Sequence, residues 1–226
     1  MLFAIGRPAA FAGLLVGFLL ALALRVVAMR VAARALGLAG SRDPLLPSPR
    51  EDVDPFGAVS AAVAGPGWGR AVDIDLMPRL ASRGRKAAVV AAGPLATIVA
   101  GLAALTAHRT LFAAGDPVLG LVGAGSLLRG AGLDDSFAGA FLLGLAVELL
   151  CFGLLALIPL PPLDGFALLW FAMRTPGVNA QKARLWLAEN NIGVVILIAL
   201  SFLPLSAPLL HLFVGLLAAP FLWAWA

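Results

Sequence analysis

Apolar residues run for long stretches in this chain, and the polar positions gather between them. Residues 8–24 carry no charge, and the helical pattern continues past Arg25, Arg30 and Arg34 towards Gly37. Residues 87–107 form a second apolar run and 137–158 a third, with Glu148 inside it. Runs near 20 residues match the length that crosses a bilayer as a helix. Each therefore predicts a membrane span, and the segment 159–173 continues the third past a break of Pro159, Pro161 and Pro162. The C-terminal stretch 192–226 is apolar again and divided by Pro204 and Pro208, which leaves it open to one crossing or two.

The polar stretches differ in kind. Residues 40–86 hold seven basic and six acidic side chains, with many Pro and Gly, and read as a solvated loop. Within it, AVDID (71–75) alternates as a short strand does. Residues 174–191 read as a short amphipathic surface helix. The stretch 108–136 has two basic residues against three Asp. Under three spans the two basic stretches share one side, which the bias of Lys and Arg makes cytoplasmic.

Composition narrows the class. Of 226 residues 62% are hydrophobic and 12% charged, with mean hydropathy +1.00. A soluble domain carries about twice that share of charge. The prediction is an all-α polytopic membrane protein with a small β-containing cytoplasmic loop, one integral membrane domain over 1–226, in a bacterial cytoplasmic membrane. The start, MLFAIGRPAAFAGLL, lacks a basic n-region and a cleavage site and is expected to be the retained first span. The net charge of +4 reports orientation and contact with the lipid bilayer, and no nucleic-acid partner is expected. A single cysteine, Cys151, excludes a disulfide within the chain.

Several short motifs occur in a fixed order. VAARALG (31–37) is followed by DPFG (54–57), GWGRAV (67–72), AAGPLA (91–96) and LIPLPPLDG (157–165). In that order they resemble elements of the site-2 protease family, zinc metalloproteases that cleave within the membrane, over about residues 20–170. The resemblance implies a site-2-protease-like transmembrane core. Its scaffold would include Gly93, Pro94, Pro159, Pro161, Pro162 and Gly165, and Asp164 is the one family-type zinc ligand kept. It also implies a loop whose strands guide an unwound substrate segment.

The family's catalytic H-E-x-x-H motif places two imidazoles on one helix face and a general base between them. Counted back from AARALG, it falls on Arg25, Val26, Val27, Ala28 and Met29. Thr97 and Ala156 stand where the family has Asn, and Ser48 and Asp52 where its loop has Asn and His. No catalytic residue and no metal are therefore expected. The only histidines, His108 and His211, have no partner at helical spacing, and a lone carboxylate does not hold zinc selectively.

Three functions follow as expectations. The first is a catalytically inactive relative that binds a transmembrane peptide or membrane-protein partner. The second is an active metallopeptidase with a non-standard zinc site, and the third a small transporter or ion pathway built on Arg25, Glu148 and Asp164. Asp164 in an apolar run needs a partner. Arg25 either pairs with it or snorkels to the interface beside Arg30 and Arg34, since 8–25 rises roughly 25 Å against a core of about 30 Å. Glu148 is either part of a relay or a neutral acid bonded to a neighbouring helix. Gly93 and Gly101 read as close packing sites, and Trp68, Trp170, Trp186, Trp223 and Trp225 as interface anchors or core.

Overall fold

A computed structural model describes residues 1–40, 43–78, 80–112, 122–130, 136–203 and 208–225. Pro204 and Ala226 lie outside these residues, as does the side chain of Trp225. A short 3-10 turn, Leu2–Ala4, precedes α1 (Pro8–Ala35). Then come α2 (Pro49–Asp52), α3 (Pro55–Ala64), α4 (Arg83–Leu111), α5 (Ala124–Leu127), α6 (Phe137–Ala156), α7 (Asp164–Ala172), α8 (Val178–Arg184), α9 (Ile192–Phe202) and α10 (Leu209–Trp225). Three of them, α1, α4 and α6, are long and apolar enough to cross a membrane. The chain is an all-α polytopic integral membrane protein.

Local chemistry sets the ends of these helices. Pro8 opens α1 at a position where its missing N–H costs nothing. Ser82 and Ser136 cap α4 and α6, their hydroxyls accepting from Arg85 N at 3.4 Å and Gly139 N at 3.1 Å. The three spans pack backbone to backbone. A Cβ on Gly13 of α1 would lie 2.2 Å from Phe141 O of α6, and one on Gly101 of α4 would lie 2.6 Å from Leu150 N. No larger residue permits these crossings, and in lipid such close packing replaces the hydrophobic drive available in water. Helix α6 is the central element, with fifteen of its twenty residues buried.

Residues 174–191 do include a helix, α8, but it runs on into a π-helical turn, Leu185–Glu189, and then bends by 59° into α9. The 192–226 stretch forms two helices of 11 and 17 residues, α9 and α10. At 1.5 Å per residue α9 rises roughly 17 Å, about half of a hydrocarbon core.

The stretch 40–86 departs from the expectation of a solvated, β-containing loop. Its charges lie outside 55–69, where the chain reads PFGAVSAAVAGPGWG. That segment buries itself. Asp54 caps α3 by accepting from Phe56 N at 2.8 Å and Gly57 N at 3.1 Å, with Pro55 as first helical residue. Ser60 Oγ then reaches Ser201 Oγ of α9 at 2.8 Å and donates to Pro66 O at 3.1 Å. No strand occurs among the described residues, only an isolated antiparallel bridge between Val53 and Gly69. AVDID is not a strand because Asp73 Oδ1 accepts from Asp75 N at 2.9 Å and Leu76 N at 3.3 Å, closing a turn. A short alternating run without a neighbour to pair with gains nothing from extending.

The tryptophans divide. Trp68 is fully buried, whereas Trp186 and Trp223 are exposed.

Candidate functional site

Three separate parts of the chain meet beneath the bridge between Val53 and Gly69. Helix α1 supplies Arg25, the N-terminal end of α7 supplies Asp164, and the loop after α3 supplies Trp68 to Arg70. Arg25 Nε donates to Asp164 Oδ2 at 2.6 Å, and Nη2 donates both to Oδ1 and to Arg70 O, the latter at 3.0 Å. Arg25 is 4% exposed and Asp164 1%. Both carboxylate oxygens are thus engaged by one planar guanidinium, the bidentate arrangement that only arginine provides.

Local structure explains how each partner is held. Asp164 is the first residue of α7, where the partial positive charge of the helix end also favours a carboxylate. The Pro159 to Pro162 segment, with a cis Pro161–Pro162 peptide, turns the chain out of α6 and into α7. Gly165 lets that turn close, since a Cβ there would lie 2.1 Å from Leu157 O. Gly93 of α4 does the same against α1: its Cβ would come 2.8 Å from Arg25 Cγ and 3.1 Å from Met29 Cγ. The Arg25 stem therefore lies flat on the α4 backbone, just before Pro94. Val26 is buried and Met29 partly so. Trp68, Phe152, Ala156, Pro162 and Leu163 wall the pair.

A second ion pair extends the arrangement towards the polar loop. Arg30 Nη2 donates to Asp52 Oδ1 at 3.0 Å and Oδ2 at 2.9 Å, and Asp52 Oδ2 also accepts from Ser48 N at 2.6 Å. Arg34 donates to Asp43 O. Of the two readings of Arg25, pairing with Asp164 and snorkelling beside Arg30 and Arg34, the structure has the first: Arg25 turns inward to Asp164, and the other two tie down the loop. Asp52 and the Arg70 carbonyl were not legible as partners, because no spacing links them to α1.

The remaining candidates lie elsewhere. Glu148 is fully buried at the α1–α6 contact, where a Cβ on Gly17 would come 2.9 Å from its own Cβ. Among the described residues no donor reaches either of its oxygens. The bonded neighbour expected for it is therefore not found, and the Phe18–Phe152 edge contact, centroids 6.1 Å apart, lies one step along both helices towards the Arg25 pair. Thr97 donates to Pro94 O of its own helix at 2.8 Å. His211 bonds Ala64 O through Nε2, and His108 is buried in α4. Among the described residues no three His, Cys, Asp or Glu side chains come together.

Outside the pair lies a cleft of about 450 Å³. Its walls are the 70–75 segment on one side, and Pro161, Pro162 and Phe166 on the other, with Arg184 at the rim. Arg184 bonds Asp75 through Nη1 at 3.3 Å and through Nη2, and its plane covers Trp170 at 5.1 Å. The hydrogen bond to Asp75 raises the Arg184 pKa above its ordinary value.

Sequence comparison gives one relative that bears on this geometry. No family profile matches the chain, and no solved structure matches it. The "Putative zinc metalloprotease YwhC" of Bacillus subtilis (strain 168) is 27% identical over 164 residues, which span 71% of this chain. The match covers 65% of that relative, so the chain spans less than two thirds of its length. With the three apolar spans, this similarity supports a distant site-2-protease-like relationship for an integral membrane protein.

Proposed function

We propose that this protein is a catalytically inactive, site-2-protease-like membrane protein, a single domain of a bacterial cytoplasmic membrane with 40–86 and 174–191 on the cytoplasmic side. Its role is to bind an unwound transmembrane segment of a peptide or membrane protein in the cleft beside Pro161 and Pro162. One observation carries the reading: the guanidinium of Arg25, at the position of the family's first ligand, holds both oxygens of Asp164.

Zinc does not fit these residues. A catalytic zinc needs three protein ligands and an open position, and the donor set at Asp164 is one carboxylate already saturated by a cation. The positions that would complete it hold Arg25 and Met29, whose side chains lie on α4. Val26 stands where the family has its glutamate base. The cleft outside the pair offers space for a bound segment. Ala71 and Val72, between the anchored Arg70 and the turn that Asp73 closes, offer backbone to an extended peptide laid alongside them, and Pro161, Pro162 and Phe166 give that peptide an apolar floor.

The test is the zinc content of detergent-purified protein beside Asp164→Ala, together with an intramembrane cleavage assay on a transmembrane peptide. Near-zero zinc in both proteins and no cleavage are expected. One zinc per chain that disappears with Asp164→Ala, or specific cleavage, would overturn the reading.

A further inference from the structure

A second cavity, of about 360 Å³, opens on the other side of the 74–77 turn from the peptide cleft. Arg83 and Lys86, in the first turn of α4, form one wall. Ile74, Met77, Trp170, Phe171, Met173 and Pro176 form the apolar remainder. Lys86 Nζ stands 5.9 Å above the Phe171 ring, and Arg83 spends one donor on Met173 O at 3.1 Å. Neither cation has a carboxylate within ion-pair distance among the described residues. Asp75, which also borders the cavity, is engaged by Arg184.

Three features give this cavity a sign and a depth. First, the opening turn of α4 carries Arg83, Arg85 and Lys86 and no acid, so cations sit at the helix end where the dipole favours anions. An anion at the cavity would offset both. Second, α4 has 29 residues, a rise of roughly 43 Å against a hydrocarbon core of about 30 Å. Its first turn therefore stands in the headgroup layer. Third, Leu76, on the turn beside the cavity, and Leu80, just ahead of α4, are almost wholly exposed, at 82% and 104%. Exposed apolar side chains next to a cluster of cations are the composition of a membrane-interface surface.

We propose that this cavity binds the phosphate headgroup of one anionic phospholipid, with Arg83 and Lys86 on the phosphate and Trp170, Phe171 and Met77 against the upper acyl chains. The site shares Ile74 and Asp75 with the wall of the peptide cleft, but it does not rest on whether the protein is an active protease.

The experiment is native mass spectrometry of the full chain in detergent, titrated with phosphatidylglycerol or phosphatidylcholine. The parent protein should hold one phosphatidylglycerol, bound well ahead of phosphatidylcholine. With each cation worth about fivefold at a membrane surface, Arg83→Gln/Lys86→Gln should bind it roughly thirtyfold more weakly, and Lys86→Gln alone about fivefold. An Arg50→Gln/Lys182→Gln control removes the same charge from exposed positions outside the cavity and should bind like the parent. Equal loss in the control would mean diffuse attraction to the basic face and would overturn the site. So would unchanged affinity in Lys86→Gln, phosphatidylcholine bound equally well, or displacement by glycerol phosphate at concentrations matching the lipid.

Discussion

Among the described residues two acids, Asp164 and Glu148, are buried in this membrane core, and they are held in opposite ways. Asp164 lies at a helix start, 1% exposed, with a guanidinium across both oxygens and a helix end behind it. Glu148 lies mid-helix in α6, wholly buried, with no donor on either oxygen among the described residues. A carboxylate taken from water without donors is costly, and one with a bidentate cation is compensated. The chain brings two distant helices, α1 and α7, and the loop at Arg70 together around Asp164, whereas no hydrogen-bond donor among the described residues reaches Glu148. Among the described residues, the small cavity lined by Arg25 and Asp164 does not include Glu148.

The sharpest break of the contrast is to remove one half of the pair. Asp164→Ala leaves Arg25 buried without its counter-ion and should cost about 3–5 kcal/mol. Thermal unfolding in detergent measures this, and a melting point equal to the parent's would end the account of the pair as compensated charge. Removing both halves at once should cost far less. Arg25→Met/Asp164→Leu is expected to recover all but about 1–2 kcal/mol of that loss, because apolar replacements of a buried ion pair are often neutral. A double variant as unstable as Asp164→Ala would mean that the Arg70 carbonyl, rather than the ion pair, holds the loop.

Outward from the pair, Arg30→Ala should cost about 1 kcal/mol, since the Arg30–Asp52 pair is only partly buried and Asp52 keeps the Ser48 N–H. Glu148 gives the smallest effect and the complementary sign. Glu148→Leu should leave stability unchanged or raise it by up to about 1 kcal/mol, because no hydrogen bond is lost and a polar group leaves the core. Destabilisation by more than that would reveal a donor at Glu148. A chelator should leave the melting point of the parent unchanged, whereas a bound metal would add linkage stability that the chelator removes.

Much of the fold was legible because uninterrupted apolar length is a strong signal. The spans α1, α4 and α6 fall where 8–24, 87–107 and 137–158 placed them, and Gly101 sits at the crossing expected of it. The order of short motifs brought Arg25 and Asp164 towards one place across 139 positions of sequence. What failed was read from averages or from local pattern alone. The 40–86 stretch has thirteen charges overall but none in 55–69, so its mean polarity hid an apolar helix with one buried face. AVDID alternates, yet the Asp73 carboxylate claims the amides that a strand would need. Partners such as Arg70 O for Arg25, or Asp75 for Arg184 at a separation of 109, depend on packing between distant segments and leave no periodic trace.

The contact of Arg25 with Gly93 has a consequence for how the sequence can change. Any route that first puts a histidine at 25 strips Asp164 of its cation while Met29 still rests on the α4 backbone. Any route that first changes Met29 leaves the guanidinium in place and the carboxylate occupied. Positions 25 and 164 are therefore bound to change together, because either substitution alone leaves a buried charge without its partner.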